Sequence, residues 1–283
     1  MLSIGCAHTS LPHQGTASPL VFDQAEVDAA DTIAVFVPGA LASVEIFDPV
    51  KTWKESGYAL VYYRFPGLDG LPLDHTLSIE HAAAEIAELA NRHPGKAIRL
   101  LGYSTGGPIA ILASEQIRSE DVKVALISPA PPKAGGMRTA LRSTRDVMAA
   151  SIRAGSMNRR KVWMEYYRTL LYGRAGLKDP ELADDIARIV EEEKDNIVIP
   201  ESDISRAHTR DIRKWQLQDG LVVDSRRVVF YIGMEDPVFS VRQLEDFAQT
   251  IGVSNITRYP DAGHLLFKTH PEVFDDIYTF FGE

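Results

Sequence analysis

Cysteine is almost missing from this chain. Cys6 is the single one in 283 residues, so no disulfide can form within the chain, and cysteine zinc sites or a dithiol redox pair are excluded. No apolar run approaches the roughly 20 residues that a membrane helix needs; the longest are strand-sized, such as Ile33 to Val37. The first twenty residues contain no Lys or Arg and no unbroken apolar core. An export signal is therefore not expected, a cytoplasmic location is, and the sequon Asn255-Ile256-Thr257 reads as coincidence. Positive charge is also in deficit: 30 Lys and Arg against 39 Asp and Glu give −9. That balance argues against a general nucleic-acid binder, which needs a basic face to displace counterions.

What is present is the composition of a globular protein, 45% hydrophobic and 24% charged. Short β-type runs alternate with helix-length periodic segments, which predicts an α/β fold with a mostly parallel central sheet and helices on both faces. The expected strands are Leu20 to Phe22, Thr32 to Val37, Tyr58 to Tyr63, Ala97 to Leu101, Val122 to Ile127, Val228 to Ile232 and Asn255 to Tyr259. Helices are expected at Ser78 to Arg92 with Ser78 as N-cap, Thr105 to Gln116, Val241 to Ile251 and Pro271 to Phe281, the last with Pro in its first turn. One gap breaks the alternation. Residues 131–222 show helical pieces such as Arg159 to Tyr172 and Pro180 to Lys194 but no strand series. This divides the chain into a core, residues 1–130 and 223–283, and an inserted helical lid, residues 131–222.

Charge within that insert is segregated. Lys133 to Lys178 has 11 basic and 2 acidic residues, and Asp179 to Ile204 has 2 basic and 10 acidic. The simplest expectation is that the two halves pair as crossing helices. The alternative is that Arg138, Arg142, Arg145, Arg159, Arg160 and Lys161 attract an anionic substrate such as a CoA thioester.

Gly102-Tyr103-Ser104-Thr105-Gly106 fits G-x-S-x-G, which holds a serine on a tight turn between a strand and a helix. The apolar strand before it and the small residues after it supply the context that the pattern needs. A serine hydroxyl is a weak nucleophile, so it requires a base and a group that orients the base. Gly233-Met234-Glu235-Asp236-Pro237 places two carboxylates after one later strand, and Asp261-Ala262-Gly263-His264 places a histidine after the last. Ser104, Asp236 and His264 are the candidate catalytic residues, with Glu235 the rival of Asp236. Oxyanion donors are expected from the backbone N–H of Thr105 and of Ala40, in the Pro38-Gly39-Ala40 loop. Tyr103, Trp163, Tyr166 and Tyr167, with Met164, Leu170, Leu171 and Tyr172, are candidates for lining a substrate pocket, although an aromatic stripe at helical spacing also serves plain packing.

Together these motifs, with Phe65-Pro66-Gly67, resemble the α/β-hydrolase family from Thr32 to the last helix. The resemblance implies an eight-strand-type core with a lid inserted after the strand ending near Ser128. Two departures stand out: Pro38-Gly39 where the family often has His-Gly, and a shortened N-terminal hairpin. Tyr63 to Gly107 also resembles thioesterases of acyl-carrier pathways, whereas serine at position 104 argues against the dehalogenases of this fold, which use Asp there. The expected activity is hydrolysis of a small acyl substrate, a carboxylic ester first and a thioester second, without metal or cofactor. A ligand-binding homologue with little turnover is the alternative of a different class.

Overall fold

The computed structural model describes residues 17–132, 137–197, 199, 201–213 and 215–283. Cys6 and Lys133 lie outside the described residues, as does the side chain of Arg138. Among the described residues seven strands form one sheet: β1 (Leu20–Val21), β2 (Thr32–Val37), β3 (Tyr58–Tyr63), β4 (Ala97–Tyr103), β5 (Val122–Ile127), β6 (Val228–Gly233) and β7 (Ile256–Tyr259). Their spatial order is β1-β3-β2-β4-β5-β6-β7. The two-residue β1 runs antiparallel to β3, and the other pairings are parallel. Where the resemblance implied eight strands, the described chain has this shortened edge.

Ten α-helices are described. They are α1 (Gln24–Ala29), α2 (Ile79–Asn91), α3 (Gly106–Ser114), α4 (Met137–Ala154), α5 (Arg159–Gly176), α6 (Ala183–Glu193), α7 (Ser202–Ile212), α8 (Val241–Thr250), α9 (Leu266–Thr269) and α10 (Val273–Gly282). The central strands are apolar on both faces because each face meets a helical layer. On one, Ile33, Val35 and Leu100 pack with α2, α3 and α8. On the other, Phe36, Leu101 and Tyr231 pack with α5, α10 and a 3₁₀ segment, Val44–Ser56. The expected N-cap of α2 is present: Ser78 Oγ accepts from the His81 N–H at 3.1 Å.

The 3₁₀ segment was not anticipated by helical periodicity, because its core residues Phe47, Val50 and Trp53 recur every three residues and not at the α-helical spacing. Phe47 and Trp53 pack around Phe36 as tilted rings with centroids at 5.4 and 5.7 Å. Pro271 also differs from expectation. Three-residue turn bonds, Val273 N–H to His270 O and Phe274 N–H to Pro271 O, carry the chain around before α10 begins at Val273.

Four helices, α4 to α7, connect β5 to β6. Among the described residues their charges pair both within and between the two halves. Arg174 meets Asp146 at 2.6 Å and Arg153 meets Glu165 at 3.2 Å, which uses both acids of the basic stretch itself. On the acidic side Arg188 and Lys194 are taken up by their own neighbours. Arg160 to Asp195, at 3.8 Å, is a long contact between the halves.

The path of the chain fixes where a site can form. It leaves β2 toward β3 and returns across β2 to β4, so the strand order reverses between β2 and β4. Loops at the carboxyl ends of those strands border the crevice where ligands bind in open α/β sheets.

Helix α7 is fastened to the loop after β3. His208 is buried and its Nε2 contacts the Pro66 carbonyl at 2.8 Å. Burial holds the imidazole below its usual range, against the opposing pull of Pro66 and Asp211. Because the native pKa is depressed, the unfolded chain takes up the proton first. The stability that neutral His208 provides is complete above its ordinary pKa of 6.5 and is lost as pH falls through the lower native value. Resistance to urea should therefore fall more steeply in the wild type than in His208→Gln as pH drops from 6.5 through the lower native value; parallel profiles would contradict it.

Candidate active site

Ser104 occupies the turn between β4 and α3 with φ of +50°, in the left-handed region that non-glycine residues avoid at a cost of roughly 1–3 kcal/mol. The turn is held from three sides. The Ser104 N–H donates to Ile127 O at 2.9 Å, and its carbonyl accepts from the N–H groups of Ala130 at 2.8 Å and Gly107 at 3.0 Å. Gly106 is needed because a Cβ there would lie 2.0 Å from the Val37 carbonyl oxygen. This close crossing of α3 over the end of β2 brings the Ser104 turn beside the Pro38–Ala42 loop.

The hydroxyl meets a histidine. His264 Nε2 lies 3.1 Å from Ser104 Oγ, and His264 Nδ1 lies 2.7 Å from Asp236 Oδ2. The other Asp236 oxygen accepts from the Val238 and Phe239 N–H groups at 2.7 and 2.9 Å. These bonds fix the tautomer: Nδ1–H donates to the carboxylate, leaving Nε2 to accept the serine proton. All three side chains are at least nine-tenths buried. The imidazole is flanked by Tyr103 and Phe239, with centroids at 5.2 and 5.3 Å. Glu235, the alternative acid, is exposed, and it is the Asp236 carboxylate that reaches the ring.

Ala40 and Thr105 flank the serine on two elements. Leu41 has φ of +68°, and the Ala42 N–H closes the loop onto Gly39 O at 3.0 Å. Neither the Ala40 nor the Thr105 N–H donates to a described residue.

A cavity of about 800 Å³ opens at Ser104 and His264. Of the aromatic candidates, Tyr103, Trp163, Tyr166 and Tyr167 all line it, and Leu170 completes an i, i+3, i+4, i+7 stripe along α5. Met164, Leu171 and Tyr172 belong to the hydrophobic core on that side of the sheet. Burial and the nearby Asp236 charge keep the Tyr103 phenol well above its usual range, so its ring stands against the site uncharged. Lining residues absent from the expectation include Ile46 and Pro49 of the 3₁₀ segment, Val238, Asn196, and Lys268, which pairs with Glu193 of α6 at 2.7 Å. The three-residue spacing of Phe47, Val50 and Trp53 was the signal that could have found the 3₁₀ wall. Among the described residues no group of three or more His, Cys, Asp and Glu is arranged to hold a metal ion.

Helix α5 is joined to the histidine loop through its backbone. A regular helix would pair the Leu170 and Leu171 carbonyls with N–H groups four residues on. At Gly173 the backbone breaks from helical form, with φ 68° and ψ −168°. The Leu171 carbonyl instead accepts from the Gly263 N–H at 2.7 Å, and the Leu170 carbonyl from the Leu265 N–H at 3.0 Å. His264 is thus gripped on both sides by α5. A Cβ on residue 173 would lie 2.1 Å from the Glu235 carbonyl oxygen. Gly173→Ala should therefore cost more than about 2 kcal/mol in denaturant unfolding; unchanged stability would contradict this arrangement.

The fold and geometry can be set beside known proteins. Residues 34–277 match the model of the alpha/beta hydrolase family. No curated protein matches by sequence. Among solved structures the chain is similar to an esterase from Exiguobacterium antarcticum, with TM-score 0.67, 17% identity, and coverage of 90% of this chain and 93% of that one. A thermophilic esterase from Thermogutta terrifontis gives TM-score 0.63 and 17% identity, with 94% of each chain covered. MenH from S. aureus gives TM-score 0.62 and 17% identity, covering 94% of this chain and 98% of that one. At such identities the likeness is one of fold. The family match spans strands β3 to β7 and most of β2, the Ser104 turn and the loops that bear Asp236 and His264, and by it this chain belongs to the α/β-hydrolase family.

Proposed function

We propose that the protein is a serine hydrolase of small carboxylic esters. The observation that carries this reading is the continuous hydrogen-bond chain from Ser104 Oγ through His264 to Asp236, at the floor of an open cavity. In the proposed reaction Ser104 Oγ attacks the ester carbonyl while His264 Nε2 takes its proton. Asp236 stabilises the imidazolium without itself being protonated. The developing oxyanion is received by the Ala40 and Thr105 N–H groups, each such donor being worth on the order of 3 kcal/mol. His264 then protonates the departing alcohol, leaving an acyl-enzyme on Ser104. Water, deprotonated by the same histidine, releases the acid and restores the hydroxyl.

The cavity wall supports an ester over a CoA thioester. Glu45, Asp48 and Glu193 line it, and its one described cation, Lys268, is already paired with Glu193. The basic residues Arg142, Arg145, Arg159, Arg160 and Lys161 are not among the described lining residues, so they offer no cradle for phosphates at the serine. On this reading α4 to α7 act as a lid, with α5 roofing the acyl pocket.

The test compares kcat/KM for an oxygen ester and a CoA thioester of one acyl chain, with Ser104→Ala as the blank. The ester should be preferred. Ser104→Ala, His264→Ala and Asp236→Asn should each lower ester turnover by about 10⁴-fold or more, whereas Glu235→Gln should stay within about twofold because its side chain is solvated. A tenfold preference for the thioester, about 1.4 kcal/mol in transition-state binding, would overturn the ester assignment. Tight binding without turnover above the blank would instead favour a ligand receptor.

A further inference from the structure

The α4–α5 turn bears a surface that the proposed reaction does not use. Among the described residues eight large hydrophobic side chains are exposed, and four of them, Val147, Met148, Ile152 and Met157, fall within eleven residues. Ile152 and Met157 are 79% and 86% exposed, which is close to full immersion. Asp146 and Ala150 are buried. The opposite side of α4 therefore carries Arg145, Met148 and Ile152 at i, i+3 and i+7, and it leads into Met157 and the exposed Arg159, Arg160 and Lys161 at the start of α5.

Along this stretch of the sequence charge is mostly of one sign, with Arg153 taken up by Glu165 and Arg160 reaching Asp195 of the acidic half. From Arg145 to Lys161 there are five basic residues and one acid, Asp146, which is buried and held by Arg174. Arg145 and Lys161 have no ionic partner among the described residues. The rest of the chain is acidic enough to bring the total to −9, so it repels the surface that this turn attracts. Exposed Met, Ile and Val beside unpaired Arg and Lys are the pairing that holds a helix in the headgroup region of an anionic bilayer, the apolar groups entering the acyl boundary and the cations meeting the lipid charge. No helix of the described chain is long and apolar enough to cross a membrane, so such contact is peripheral.

We propose that the C-terminal half of α4 and the turn into α5 form a docking surface for anionic lipid membranes. Trp163, the first of the α5 residues lining the cavity, is two positions past Lys161. Docking therefore sets the cavity-lining helix at the lipid boundary, where esters partition. The binding does not depend on the ester reading. The choice of lipid over a protein partner follows from the complementarity: Arg145 and Lys161, without an ionic partner among the described residues and beside exposed apolar side chains, suit a uniformly anionic surface, whereas a protein face presents mixed charges.

Co-sedimentation tests this with vesicles of phosphatidylcholine alone and of phosphatidylcholine mixed equally with phosphatidylglycerol. The wild type should bind the mixed vesicles, bind the neutral ones far less, and lose binding as salt is raised. Arg145→Gln with Lys161→Gln should weaken binding by about fivefold per cation removed. Met148→Ser with Ile152→Ser and Met157→Ser should weaken it more than tenfold while keeping the wild-type melting temperature, since these side chains are already in water. The proposal fails if the wild type ignores the anionic vesicles, or if both variants bind as it does. It fails also if light scattering finds a dimer that the Met148, Ile152 and Met157 variant dissociates, since the face would then join two copies. None of these readouts uses ester turnover, so failure here is distinct from failure of the hydrolase reading.

Discussion

The break in α5 at Gly173 is the constraint on which the site's geometry rests. It releases two carbonyls that a straight helix would keep, and these take the N–H groups on either side of His264. The helix that forms one wall of the cavity and the loop that holds the imidazole are thereby a single hydrogen-bonded unit. A displacement of α5 at this end would move the histidine with it, while its opposite end, at the α4–α5 turn, has no such backbone tie to the core among the described residues. The wall is anchored where proton transfer would be most sensitive to position.

Strain and rigidity meet again at the serine. A left-handed φ at Ser104 is tolerated because β4 lies between two parallel neighbours and the turn's backbone is bonded to β5 and the residues after it. The same crossing places Ala40 and Thr105, with N–H groups not committed elsewhere, next to the hydroxyl. In the proposed reaction such donors would need no rearrangement as charge develops.

Much of this was legible in the sequence because the deciding forces are local. Strand bounds followed from apolar runs ending at glycine and proline, and Ser104 and His264 from loops at strand ends. The choice between Asp236 and Glu235 was not local: adjacent carboxylates look alike until the turn after β6 directs one toward His264 and the other to solvent. The 3₁₀ wall was missed because a three-residue repeat does not register as an α-helix. The segregation of charge along the sequence did not reveal that Asp146 and Glu165, two acids within a basic run, take up Arg174 and Arg153. The kink at Gly173 had no sequence signal beyond a glycine in an otherwise helical pattern, and its meaning came only from what lies opposite.

The central claim is that Ser104 is the nucleophile, made reactive by His264 and Asp236. Its most direct test is covalent trapping with a fluorophosphonate, followed by mass spectrometry of the digested protein. The account predicts one phosphonyl adduct, on the peptide that carries Ser104, forming far more slowly in His264→Ala. Ester turnover by a protein that carries the adduct elsewhere, or carries none, would contradict it.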